Sequence, residues 1–86
     1  MINITIHNED IHDAFVSAVD NQQPRSPTVF NQRLNHDQTS GSISVQEDGN
    51  GHFSMTTTAT DAGDPSRTKT ETQTGGAGDT VNVKCD

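Results

Sequence analysis

The sequence predicts an α+β fold: an N-terminal strand and an amphipathic helix packed on a small antiparallel sheet built from two C-terminal hairpins. Three observations lead there. Ile2, Ile4 and Ile6 alternate with Asn3, Thr5 and His7, the two-residue period that gives a strand one buried face. From Asn8 the apolar residues change step. Ile11, Ala14, Phe15, Ala18 and Val19 follow the i, i+3, i+4, i+7, i+8 spacing of one stripe down a helix. Further on, Ile43 and Val45 on one side and Phe53, Met55 and Thr57 on the other alternate with polar residues about Asp48-Gly49-Asn50-Gly51, which joins two favoured tight-turn dipeptides.

Taken in order, residues 1–20 form the strand-helix unit. Asn8 suits an N-cap because its short amide can accept an otherwise unpaired amide hydrogen, and Glu9 and Asp10 place negative charge at the positive end of the helix dipole. Residues 21–41 read as a loop with a short helix in it. Pro24 and Pro27 stop the first helix. Val29, Phe30 and Leu34 then suit one side of a second, capped by Ser26, or else the core contacts of an irregular strand. Residues 42–86 hold the hairpins. Asp61-Ala62-Gly63-Asp64-Pro65 makes a connection. Thr68, Thr70, Thr72 and Thr74 alternate with Lys69, Glu71 and Gln73, a strand by propensity but without an apolar face. Gly75 to Asp79 turns the chain, and Val81, Val83 and Cys85 line one side of a last strand. The whole of 1–86 makes a single small domain.

Such a chain has little with which to build a core. Ile, Leu, Val and Phe together supply 15 of the 86 residues, and Trp and Tyr are absent, so apolar burial can only just offset the entropy of ordering the backbone. Cys85 is the single cysteine, which excludes an intrachain disulfide. Association is the remaining remedy, and a homo-oligomer such as a dimer is expected. Five basic against twelve acidic residues leave a formal charge of −7, which disfavours direct binding to nucleic acid and suits a basic protein partner. The longest apolar run, Ala14-Phe15-Val16, is too short for a secretory h-region or a membrane span. A soluble, cytoplasmic protein with no membrane partner is expected.

Reactive chemistry finds little support. His7, His12, His36, His52 and Cys85 lack the spacing of a metal-ligand set, and His7 and His12 stand five apart rather than four. Gly75-Gly76-Ala77-Gly78-Asp79 fits a hairpin turn better than a calcium or phosphate loop, because Asp79 would repel a phosphate. No serine sits in a nucleophile elbow, and Cys85 lies where a chain end frays. The expectation is therefore no catalytic residue, no metal site and no cofactor. The run Thr68 to Thr72 resembles an ice-binding strand, but Lys69 and Glu71 interrupt a single short copy, and an ordinary polar edge strand accounts for it.

One functional direction remains. On the expected helix, Glu9, Asp10, Asp13 and Asp20 make an acidic face without a cation, suited to a basic groove on a larger, nucleic-acid-handling partner. The first expectation is thus a non-catalytic inhibitor or decoy that, in character though in no motif, resembles phage anti-defence and bacterial immunity proteins. The alternative is a structural or assembly subunit of a homo-oligomer or virion, with Thr68, Thr70, Thr72, Val81 and Val83 at the seam between chains.

Overall fold

The first strand forms where the isoleucine alternation places it. In the computed structural model, which describes residues 1–86, β1 spans Ile2–Asn8 and buries Ile4 and Ile6. Six more strands follow: β2 Ala14–Asp20, β3 Thr28–Leu34, β4 Ile43–Val45, β5 Phe53–Asp61, β6 Thr68–Gly75 and β7 Thr80–Val83. They make a three-stranded sheet in the order β4-β1-β7 and a four-stranded sheet in the order β3-β2-β5-β6. Pairing is antiparallel throughout except between β1 and β7, which run parallel. Ile4, Ile6, Ile43, Val45, Val81 and Val83 from one sheet and Ala14, Val16, Ala18, Phe30, Leu34, Phe53, Met55 and Ala59 from the other form one buried cluster. The fold is all strand, which overturns the α+β expectation.

The helix expected after Asn8 is strand β2. Periods of 3.6 and 2 agree on Ala14 and Ala18 and disagree on Phe15 and Val16. The helical stripe needs Ile11 and Phe15 inside, yet they are 76% and 52% exposed, whereas Val16, outside that stripe, is buried. The β-branched Val16 and Val19 also favour the pleated surface. Asn8 does what an N-cap does, accepting the amide of Asp10 at 2.9 Å, but Asp10 then accepts the amide of His12 at 3.0 Å. Two successive side-chain turns advance the chain without winding it. The same residue types serve a cap and an Asx turn, and a second such residue two places on tips the balance.

The short helix expected within 28–35 is likewise strand β3, the alternative reading of that stretch. It pairs with β2 in continuous register from Leu34 to Phe30, which puts both of those residues on the core face, and the register shifts only beyond them, between Ala18 and Val19. The two C-terminal hairpins are also corrected. β4 and β5 lie in opposite sheets, joined by an arch that Asp48 closes with its carboxylate on the amides of Asn50 and His52. β6 and β7 are separated in the same way. The true hairpins are β2-β3 and β5-β6. The path therefore repeats without any sequence period: β1-β2-β3 and β4-β5-β6 each run one strand in the smaller sheet and then a hairpin in the larger.

Gly75 marks where this packing is tightest. A Cβ there would meet ring carbons of the buried Phe53 at 3.0 and 3.2 Å and collide with the Asp79 carboxylate. Gly75→Ala is expected to lower the unfolding free energy by about 1–3 kcal/mol, measured by urea denaturation, because the Phe53 ring has no free volume to enter.

Candidate functional site

The densest polar cluster lies where the β1-β2 connection, the end of β5, the β5-β6 connection and the C-terminus meet. Asn8 anchors it. Its buried amide nitrogen donates to the carbonyls of Leu34 at 2.9 Å and His12 at 3.0 Å, so the link between the sheets is clamped from inside. Asp10 and Asp61, each 4% exposed, face the same point. One Arg67 nitrogen donates to the carboxylate of Asp61, and the other donates to Asp10 Oδ2 at 3.1 Å and lies equally far from Asp86 Oδ2. Asp10 Oδ2 also accepts the amide of Cys85 at 3.0 Å, and Asp61 Oδ1 accepts that of Gly63 at 2.8 Å.

Burial would raise the Asp10 carboxyl, but the amides of Cys85 and His12 and the Arg67 guanidinium outweigh it and lower it from 3.8 to about 2. Asp61 is also held below its ordinary value, first by the Gly63 amide and, against burial, by Arg67 and His12. Both are carboxylates at neutral pH.

Asp10, His12 and Asp61 bring one ligand atom each within 4.8 Å of one another, a spacing a metal ion could use. Arg67 already occupies that position, with Nη1 only 2.9 Å from His12 Nδ1. A divalent ion would have to displace a guanidinium bound to two carboxylates, and the oxygens are committed to amides as well. The geometry fits a structural tie. The nearby Cys85 is not an activated nucleophile either, since its thiol is 1% exposed and is pushed up from 9.0 to about 11 by its burial and by the carboxylates of Asp10 and Asp61, which keeps it protonated.

The four acidic residues expected to form a partner-binding face are dispersed. Asp20 is fully buried and accepts the amides of Gln22 at 3.0 Å and Gln46 at 2.7 Å, tying the β2-β3 turn to the β4-β5 arch. Asp10 belongs to the Arg67 cluster. Asp13 binds Arg33 at 2.8 Å and the His36 amide at 2.8 Å, and Glu9 alone stays exposed near Lys84. The histidines are spread too: His7 contacts Thr39 and Asp37, His36 contacts the Asp10 carbonyl, and His52 lies in the exposed Asp48 loop. Of the expected seam residues, Val81 and Val83 point into the core, whereas Thr68, Thr70 and Thr72 are exposed on β6, at the rim of the larger sheet.

That rim adjoins a surface that the sequence did not announce. Inward residues of β5 and β6 pair as Met55 with Gln73, Thr57 with Glu71 and Ala59 with Lys69, which leaves Thr56 with Thr72, Thr58 with Thr70 and Thr60 with Thr68 on the outer face. Thr58 and Thr70 hydroxyls lie 3.1 Å apart, and Thr68 donates to Thr60 at 3.2 Å. Beside them β2 adds Phe15, Ser17 and Val19. In a chain of charge −7, this outer face carries only Arg33, which Asp13 neutralises. Its signal was the paired alternation of Thr56 to Thr60 with Thr68 to Thr74, legible only once the two segments are known to be neighbours. Comparison with protein-family models, curated proteins and solved structures finds no match to the chain. No helix is long and apolar enough to cross a membrane.

Two outcomes follow from the cluster. Because the folded Asp10 carboxyl lies below its unfolded value, its contribution to stability is complete above about pH 5 and drains away as the pH falls from about 4 to about 2. Acid titration of thermal unfolding should show that loss, and Asp10→Asn should flatten it while lowering stability at pH 7 by about 1–3 kcal/mol, as buried amides lose their charged acceptor. Native Cys85 should resist a thiol-reactive dye at pH 8 and react fully in denaturant.

Proposed function

We propose that the protein is a non-catalytic assembly module that acts by association with copies of itself. The observation that supports this best is the outer face of the four-stranded sheet, whose one charge, Arg33, is paired with Asp13, and which ends in the unpaired rim of β6. Two chains of charge −7 repel over most of their surfaces, and this is a broad area where approach brings no like charges together. An exposed strand rim presents backbone donors and acceptors in a row and invites another strand. The meagre core gives a second reason, since a chain with 15 large apolar residues gains from any further surface it can bury. The acidic-decoy alternative loses its helical face, because Asp10 and Asp20 are interior acceptors.

Sedimentation equilibrium from about 1 μM to about 1 mM should report reversible self-association that tightens as salt screens the repulsion between acidic chains. A strict monomer across that range overturns the proposal. Capture of a basic protein that weakens with salt would point to the decoy.

A further inference from the structure

Resting on that reading of self-association, we infer that the partner surface is β6 itself, which pairs antiparallel with β6 of a second copy in one register, centred on Thr70. The ladder between β5 and β6 determines which backbone groups of β6 are free. Asp61 donates its amide to the Arg67 carbonyl at 2.9 Å, and the β5-β6 register continues from there through Ala59-Lys69, Thr57-Glu71 and Met55-Gln73. In an antiparallel ladder, hydrogen-bonded and non-bonded pairs alternate. Lys69, Glu71 and Gln73 therefore turn their N–H and C=O groups toward β5, and Thr68, Thr70 and Thr72 turn theirs outward. No backbone bond outside the ladders reaches Thr68, Thr70 or Thr72, and their side chains are exposed.

A twofold axis perpendicular to the sheet lets these free groups pair with those of a second copy and keeps both hydroxyl faces on one side. The side chains then select the register. With Thr70 opposite its own copy, Thr68 faces Thr72, and on the other side of the sheet Lys69 faces Glu71 twice over. Directly opposed residues at such non-bonded positions have the shortest Cβ separation in a ladder, so charge signs there matter most. Centring on Lys69 opposes two ammonium groups, and centring on Glu71 opposes two carboxylates. Centring on Thr72 leaves Lys69 opposite Gly75. Within one chain Lys69 and Glu71 are already 2.9 Å apart, so the Thr70 register closes a ring of four alternating charges. Charges on the rim discourage unrelated strands. Here they also fit a second copy in one alignment. The product is a single sheet of eight strands, the larger sheet of each copy joined rim to rim, with one continuous threonine face.

Charge exchange on the full chain tests this. Lys69→Glu and Glu71→Lys should each weaken self-association by about tenfold or more, and the double variant K69E/E71K should restore it, because the opposed pairs are regenerated with signs reversed. Thr70→Pro, which removes one outward N–H and the exposed hydroxyl contact to Thr58 but no backbone bond to β5, should abolish association while leaving the thermal melt of the monomer near that of the unmodified chain. An unmodified chain that remains monomeric overturns the self-association reading itself. Association that survives both single exchanges, or that the double exchange fails to restore, overturns this register alone.

Discussion

A guanidinium held between two buried carboxylates is the contact on which this architecture depends. Arg67 comes from the β5-β6 connection, Asp61 from the end of β5, Asp10 from the link between the two sheets, and Asp86 and the Cys85 amide from the C-terminus. Four separate parts of the chain thus converge on one cation. A buried pair of this kind adds little net stability compared with well-packed apolar residues, but removing one partner strands a charge in the interior. That asymmetry makes the cluster a device for specifying how the sheets join. A core with only two phenylalanines and one leucine has little shape of its own with which to do so.

The same economy explains where the acidic residues go. Asp10, Asp20 and Asp61 cap turns from the inside, and Asp48 closes an exposed arch; each accepts amides that a loop cannot satisfy through a ladder. Much of the negative charge is therefore structural in purpose. A count of carboxylates says little about a binding face until their partners are known. What remains for interaction is the opposite of an acidic patch: a neutral sheet surface of hydroxyls and methyls with an unfinished edge.

Lys69 and Glu71 illustrate how placement changes the meaning of a residue. In the sequence they interrupt a threonine run and spoil it as a regular surface. In the sheet they stand on the reverse side from those threonines, which leaves the outer face uninterrupted and puts the charges where they govern strand pairing. The aromatic Phe15 changes in the opposite sense, from an expected core contact to an exposed neighbour of the Arg33 guanidinium, 5.8 Å from its ring centre.

Local pattern alone was enough for several elements. The alternation in Ile2 to Ile6, in Phe53 to Thr57 and in Val81 to Val83 is the direct imprint of a strand with one buried side, although the last strand stops short of Cys85, and the prolines, Asp48-Gly49 and Asn50-Gly51 marked connections because their backbone preferences are intrinsic. The poverty of the core was equally legible, being a matter of composition. Tertiary structure alone decided whether Ala14 to Asp20 would wind or extend, because Ala14 and Ala18 satisfy both periods and only the facing sheet makes burying Val16 more favourable than burying Phe15. It also decided which strands pair. A tight turn brings two segments close, but whether they share a sheet or face each other across a core depends on partners far away in the chain, and so did the meeting of Asp10, Asp61 and Arg67.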